Sequence, residues 1–175
     1  MSNDSAWMLP QEAFSWIEDH IAPGSTILEF GSGQGSKHLA QIYDLFSVEH
    51  NPEFLKSESG TFIYAPILLS SDYPGEIGWY DIEKVKQQLP EKIDLMIIDG
   101  PTGLIGRSGL LSHTGLFSWD FPVLIDDLHR EPEYLMSQHL SKMVQLKCDH
   151  FVEFKDEETE SIRSFGIFSN KSSVV

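Results

Sequence analysis

The sequence predicts an α/β fold in which helices cover both faces of a largely parallel β-sheet. Apolar runs of strand length alternate with amphipathic segments along most of the chain. One run, Ile93–Ile98, is almost wholly apolar, as expected of a central strand that is covered on both faces. The first run, Thr26–Phe30, leads directly into a glycine-rich loop. These observations favour a three-layer domain whose ligand site lies at the carboxyl ends of the strands.

Turn residues and changes of periodicity divide the chain into elements. The opening helix is predicted over Pro10–Ile21, because its apolar residues form one stripe and Ala22-Pro23-Gly24 follows. Later helices are predicted over Ser36–Tyr43, Pro52–Ser57, Asp81–Leu89 and Glu131–Val144. The other strands are predicted over Leu45–Glu49, Thr61–Ala65, Pro122–Ile125, Asp149–Lys155 and Ser164–Ser169, the last two as a hairpin. Ser71–Tyr80 is predicted as a loop, and the tail Asn170–Val175 is expected to lack regular structure.

Length, charge and cysteine usage limit the class of protein. The 175 residues fit a single domain over 1–175. Twelve Lys and Arg against 27 Asp and Glu give a net charge of −15, which disfavours nucleic-acid partners. Cys148 is the only cysteine, so an internal disulfide is impossible, and we expect its side chain to be buried in a strand. With no apolar run long enough for a membrane span, we expect a cytoplasmic protein. The oligomeric state cannot be read from the sequence.

The loop after the first strand has the glycines of a nucleotide-binding turn. It reads Glu29-Phe30-Gly31-Ser32-Gly33-Gln34-Gly35-Ser36. Glycines let the backbone approach a ligand closely, and the helix that follows points its free N–H groups at the loop. A dinucleotide-binding loop has the spacing G-x-G-x-x-G, whereas here the third glycine comes one residue early. An acid directly before the loop suits a cationic ligand better than a pyrophosphate.

This loop resembles the first motif of the class I S-adenosylmethionine-dependent methyltransferases, E/D-x-G-x-G-x-G, and the match over 29–35 is complete. The resemblance implies a Rossmann-like, seven-stranded sheet with strand order 3-2-1-4-5-7-6 over about residues 25–169. It also implies S-adenosylmethionine as the cofactor. The loop residues that would cradle its methionine part are Gly31, Ser32, Gly33 and Gly35. Glu29 would support that part electrostatically or through water.

A second acid stands where this family binds the ribose. Glu49 ends the predicted strand Leu45–Glu49 and would accept hydrogen bonds from the ribose hydroxyls. His50 and the stretch around Ala65 would border the adenine. Asp99, at the end of the fourth strand, is a further residue expected at the cofactor.

The residues at the ends of the predicted fourth and fifth strands resemble particular groups within this family. Ile98-Asp99-Gly100-Pro101, then Gly106-Arg107, then Asp126-Asp127-Leu128-His129-Arg130 look like a bacterial methyltransferase group with the pattern "E-x-G-S-G…S-V-E-H…I-D-G-P…R…D-D-x-x-R". They distantly resemble the plant glucuronoxylan O-methyltransferases, although that group has an acid in the place of His129. The likeness implies that the acceptor is an oxygen of a sugar or another small hydroxylated molecule.

Methyl transfer to a hydroxyl needs positioning and removal of a proton. The candidate catalytic residues are therefore Asp99, Asp126 and His129, with Arg107 orienting the acceptor. Asp99, Asp126 and Asp127 also resemble the set with which catechol-type O-methyltransferases hold magnesium, so a Mg or Mn site is possible there. The alternative is that these acids cap the helices that follow, since adjacent residues of a strand point to opposite sides of the sheet.

Two other functions are compatible with the sequence. One is a nicotinamide-dependent oxidoreductase, which the glycine spacing disfavours and which binding of NAD(P)H would reveal. The other is a catalytically silent domain that binds a nucleoside or a protein partner. The acids and the histidine at the strand ends argue against it.

Overall fold

A computed structural model describes residues 9–55, 60–156 and 160–170. The strands are β1 (Thr26–Phe30), β2 (Asp44–Glu49), β3 (Thr61–Tyr64), β4 (Ile67–Leu69), β5 (Gly78–Tyr80), β6 (Leu95–Ile98), β7 (Val123–Ile125), β8 (Lys147–Lys155) and β9 (Ile162–Ser169). The α-helices are α1 (Gln11–His20), α2 (Gln34–Ile42), α3 (Ile82–Lys86) and α4 (Glu131–Val144). Short 3₁₀ helices cover Pro52–Leu55 and Ser108–Leu116.

Seven strands form one sheet with the order β3-β2-β1-β6-β7-β9-β8, and β4 pairs with β5 in a separate hairpin. When only the strands of the large sheet are numbered, this order is 3-2-1-4-5-7-6, which confirms the prediction. Five neighbouring strands of this sheet are parallel, in the order β3, β2, β1, β6 and β7. Strand β9 runs antiparallel to its two neighbours, β7 and β8.

The register of the parallel strands positions the site. Phe30 at the end of β1 is level with Val48 on one side and Ile98 on the other, and Ile98 is level with Ile125. The residues that follow are therefore brought to one edge of the sheet: Gly31, Glu49, Asp99 and Asp126.

Side chains that alternate along the strands build a separate core on each face. On one face, Ile27 and Leu95 pack with α1 and α2 through Phe14, Ile17 and Leu39. The other core combines the alternate strand residues with α3, α4, the 3₁₀ helix and the β4–β5 hairpin, and it includes Leu28, Phe30, Met96, Ile98, Val85, Leu110, Leu140 and Trp79. The central strand is buried on both faces because both cores cover it.

Three predictions about elements were wrong or incomplete. The predicted loop Ser71–Tyr80 ends in a strand, since Gly78–Tyr80 pairs with Ile67–Leu69 and is buried. The 3₁₀ helix Ser108–Leu116 was not predicted. Cys148 is in a strand, but it is exposed because β8 is the edge strand of the sheet.

Two further points concern the C-terminal tail and membrane-spanning helices. The prediction for the C-terminal tail concerns mainly residues 171–175, which lie outside the described residues. Within the described part of the chain, no helix combines the length and the apolar character needed to cross a membrane.

Candidate active site

The glycine-rich loop leaves the sheet through a close approach of two backbones. Gly31 has a φ of +93°, a conformation that residues with side chains rarely adopt. A Cβ atom at Gly31 would lie 2.6 Å from the backbone nitrogen of Gly100, at the end of β6. The loops that follow β1 and β6 are thus in direct contact, and a side chain at Gly31 would separate them.

Glu49 connects the end of β2 to this loop. Its side chain is buried, and Oε2 accepts hydrogen bonds from the backbone nitrogen of Ser32 at 2.9 Å and from Ser32 Oγ at 3.3 Å. Oε1 accepts from the backbone nitrogens of His50 and Asn51, both at 2.7 Å. The carboxylate is held in one orientation by groups on both sides of the site.

Glu29 lies beneath the loop and is also buried. Its Oε2 accepts hydrogen bonds from Ser36 Oγ at 2.7 Å and from Ser47 Oγ at 2.6 Å. Burial raises the pKa of Glu29 to about 7, although the two serine hydroxyls act in the opposite direction. Glu29 therefore supports the first turn of α2 and the neighbouring strand.

The remaining residues predicted at the cofactor have different surroundings. The backbone nitrogen of Gly33 donates to Ser36 Oγ at 2.9 Å, which fixes the start of α2. Gly35 packs against α1, since a Cβ there would lie 2.7 Å from Phe14 Cζ. His50 Nδ1 lies 2.8 Å from Glu49 Oε1, and Ala65 is buried beside the end of β2.

Asp99 is the acid of the β6 end that reaches solvent, with a side chain 26% exposed. Burial, and next the charge of Asp126, raise the pKa of Asp99 well above its ordinary value, and Arg107 opposes them. A carboxyl with a raised pKa is a better proton acceptor near neutral pH. Asp99 thus combines contact with solvent and a raised pKa.

Arg107 holds the loop after β6 and the end of β7 together from a buried position. Its guanidinium donates to the backbone oxygens of Asp99 at 2.5 Å, Asp126 at 3.0 Å and Pro101 at 3.4 Å. It also donates to Asp127 Oδ2 at 2.8 Å and lies 3.4 Å from Asp99 Oδ1. Because its donors are engaged inside the protein, Arg107 positions these loops.

Asp126 and Asp127 are buried and face two more arginines. Arg163, on β9, donates to Asp126 Oδ2 at 3.1 Å, and Arg130 Nη1 lies 3.0 Å from Asp127 Oδ2. Burial and the charge of Asp127 raise the pKa of Asp126 to about 6. Asp127, two residues after the end of β7, has a φ of +61°, a conformation that residues with side chains rarely adopt.

The acidic cluster does not fit a divalent cation. Asp99, Asp126 and Asp127 each offer an oxygen within 4.8 Å of the others. However, Arg107, Arg130 and Arg163 lie within 4.0 Å of the same carboxylates, so a cation entering the cluster would meet three positive charges. The predicted Mg or Mn site is therefore not supported by the donor set.

His129 lies at the outer side of the cluster and is exposed. Its Nδ1 accepts a hydrogen bond from the backbone nitrogen of Ser164 at 3.3 Å. The neutral ring then carries its proton on Nε2, so it presents a donor to solvent. Partial desolvation of the ring lowers the pKa of His129, which favours this neutral form.

Two residues at this edge were missed by sequence reasoning. Arg163 follows an acidic turn in the closing hairpin, and nothing in its neighbourhood indicates a partner on β7. Tyr80 belongs to the segment predicted as a loop, and it is buried close to Gly100. Both contacts join segments that are far apart in the chain, so local pattern carries no signal for them.

Comparisons with known proteins identify the fold. No protein-family model and no curated protein sequence matches the chain. Among solved structures, an O-methyltransferase from Bacillus cereus in complex with S-adenosylhomocysteine (SAH) is similar, with a TM-score of 0.63 and 11% identity over 97% of this chain and 85% of that one.

Two other similar structures are of methyltransferases that are named for different substrates. The magnesium protoporphyrin IX methyltransferase ChlM from Synechocystis PCC 6803, with bound S-adenosylmethionine, has a TM-score of 0.58 and 14% identity over 91% of this chain and 77% of that one. The m1A22 tRNA methyltransferase TrmK of B. subtilis has a TM-score of 0.59 and 8% identity over 95% of this chain and 68% of that one. The chain therefore has the Rossmann-like fold of the class I methyltransferases.

Proposed function

We propose that this protein is an S-adenosylmethionine-dependent methyltransferase that methylates a hydroxyl oxygen of a small molecule, such as a sugar. The observation that carries the proposal is the junction between Glu49 and Ser32, which places an acid and a glycine-rich loop together at the ends of β1 and β2. The comparisons support the fold for this activity, and the residues at the strand ends support the chemistry.

In this proposal Glu49 receives the ribose hydroxyls. A carboxylate has about four acceptor positions, and three backbone nitrogens already donate to Glu49. The contact with Ser32 Oγ, at 3.3 Å, is the longest of the hydrogen bonds to Glu49. A ribose hydroxyl would replace it at little cost. The loop containing Gly31, Ser32, Gly33 and Gly35 then surrounds the methionine part, and Ala65 and His50 border the adenine.

Asp99 removes the proton from the acceptor. The acceptor oxygen forms a bond to the methyl carbon while the bond from that carbon to the sulfonium sulfur breaks, and the hydroxyl proton passes to Asp99. The products are the methyl ether and SAH. This step needs an ionised Asp99, and Arg107 stabilises that form by lying 3.4 Å from Asp99 Oδ1.

The other strand-end residues would act around Asp99. Asp126 and Asp127 anchor Arg107 and Arg163, so they hold the base in place and tune its pKa through their charge. His129 presents a hydrogen-bond donor that is suited to an oxygen of the acceptor. No step passes through a metal, because three arginines already compensate the carboxylates.

The acceptor proposed here is a small, uncharged hydroxylated molecule. The net charge of −15 repels polyanions such as RNA. A sugar or polyol carries several hydroxyls and no negative charge. It would pair with both donors and acceptors among Asp99, His129 and Arg130.

Calorimetric titration with SAH and with NADH tests the proposal. We expect SAH to bind with a dissociation constant of about 1–100 μM and NADH to produce no binding heat. Binding of NADH alone would favour an oxidoreductase. Transfer of labelled methyl from S-adenosylmethionine should then be screened against sugars and polyols. We expect transfer in the presence of EDTA, and binding of SAH without transfer to any acceptor would favour a catalytically silent domain.

A further inference from the structure

Tyr80 is a buried tyrosine whose hydroxyl has no hydrogen-bond partner among the residues that the structure describes. Its side chain is only 2% exposed. A buried hydroxyl without a partner costs free energy that phenylalanine would not incur, so such a group requires an explanation. Tyr43 is also buried, but its hydroxyl has partners. It donates to the backbone oxygens of Ile21 at 3.4 Å and Ile17 at 3.5 Å.

The unpaired hydroxyl lies where the ends of β1, β2 and β6 meet. The Tyr80 ring centroid lies 5.9 Å from that of Phe30 and 6.1 Å from that of His50. A Cβ atom added to Gly100 would lie 2.7 Å from the hydroxyl oxygen. The ring thus belongs to the core that contains Phe30, and the hydroxyl lies at the edge of that core beside Gly100, in the loop after β6.

The charges around this hydroxyl keep it protonated. Burial raises the pKa of Tyr80 well above its ordinary value, and among the charged groups Glu49 raises it most. A neutral phenol remains available to donate to a ligand.

The position of Tyr80 points to the nucleoside half of that ligand. Glu49 and His50 are the residues assigned above to the ribose and the adenine, and both neighbour Tyr80. The hairpin is tied to the same corner, because Tyr80 pairs with Ile67 and the backbone nitrogen of Asp81 donates to the oxygen of Pro66 at 2.8 Å. Pro66 directly follows Ala65, the other residue assigned to the adenine.

We propose that the Tyr80 hydroxyl donates a hydrogen bond to the adenosine half of bound S-adenosylmethionine, which makes the β4–β5 hairpin part of the cofactor site. This assignment rests on the proposed function. It gives the hairpin a role that the strand-end acids cannot fill, since those acids are hydrogen-bond acceptors when ionised. Ligand binding would then satisfy the one polar group that the side chain of Tyr80 buries.

The test compares Tyr80→Phe with Tyr43→Phe in calorimetric titrations with SAH and with 5′-methylthioadenosine, which contains the nucleoside half without the amino-acid half. We expect Tyr80→Phe to lower the affinity for both ligands by the same factor, about tenfold. Tyr43→Phe should lower the affinity for neither. Thermal melting of the free proteins provides a second readout. Tyr80→Phe should melt no lower than the parent, whereas Tyr43→Phe should melt lower because it loses a paired hydroxyl.

Each other outcome is decisive. Equal affinity of the parent and Tyr80→Phe for both ligands would overturn the assignment while leaving the proposed function intact. A loss of affinity for SAH alone would place the contact at the amino-acid half and would also overturn it. Failure of the parent protein to bind SAH would overturn the proposed function, and this assignment with it.

Discussion

Arg107 and Asp127 form an ion pair of 2.8 Å in which both side chains are buried. The pair joins the loop after β6 to the end of β7, and the same guanidinium binds the backbone of Asp99. Removing one partner of a buried pair leaves the other charge uncompensated, which costs more than the pair itself contributes. The strand ends thus depend on Arg107 for their arrangement.

We expect Arg107→Lys to destabilise the fold by about 1–3 kcal/mol, because lysine keeps the charge but cannot replace the several donors of the guanidinium, and the acceptors left unpaired are buried. Urea denaturation measures this loss. Arg130→Lys is the matched control, since Arg130 contacts the same carboxylate but is 45% exposed. It should cost at most about 1 kcal/mol. Equal losses for the two variants would show that Arg107 does not organise the site.

The close approach of Gly31 and Gly100 makes a second prediction. Gly31→Ala should destabilise the protein and lower its affinity for SAH, because the Cβ of the alanine would lie 2.6 Å from the backbone nitrogen of Gly100. Gly75 has a similar φ of +87° but open space around it. Gly75→Ala should therefore show only the conformational strain, about 1 kcal/mol, with unchanged affinity for SAH. The two variants would behave alike if the contact between the loops were unimportant.

The raised pKa of Glu29 links stability to pH. The folded-state pKa of about 7 exceeds the ordinary value of 4.5. Between these values the unfolded chain loses the proton while the folded protein keeps it, so this group makes stability fall as pH rises. The shift corresponds to about 3 kcal/mol.

Glu29→Gln should remove this contribution, because the amide oxygen can still accept from both serine hydroxyls. The free energy of unfolding of the variant, measured by urea denaturation at several pH values, should decline less than that of the parent between pH 4.5 and about 7. Parallel curves for the two proteins would contradict the assignment.

The fourth prediction concerns Asp99 as the base. Asp99→Asn should slow methyl transfer by about a hundredfold or more and leave the affinity for SAH largely intact. In the parent, the rate should fall as the solution is acidified, because protonation at a raised pKa removes the base. Asp44→Asn, at the exposed amino end of β2, is the control. A variant Asp99→Asn that turns over like the parent would place the base elsewhere.

The glycine-rich loop was predictable because it is a local pattern, and the order of the sheet was predictable because the chain resembles a known family. The apolar run Ile93–Ile98 indicates a central strand without knowledge of its neighbours. The arginine network was not predictable. Arg163 contacts Asp126 across 37 positions of the chain, and β5 becomes a strand only because Ile67–Leu69 lies beside it. Such contacts are set by tertiary packing, and the hydrophobic periodicity of the sequence carries no information about it.

Glu49 gives the most direct test of the cofactor site. A calorimetric titration of SAH into Glu49→Gln should show binding weakened by about tenfold to a hundredfold, the value of a hydrogen bond to a charged group. Glu12→Gln, in the exposed first turn of α1, should bind like the parent, and circular dichroism should show that both variants are folded. Unchanged affinity of a folded Glu49→Gln variant would contradict the placement of the cofactor at the ends of β1 and β2.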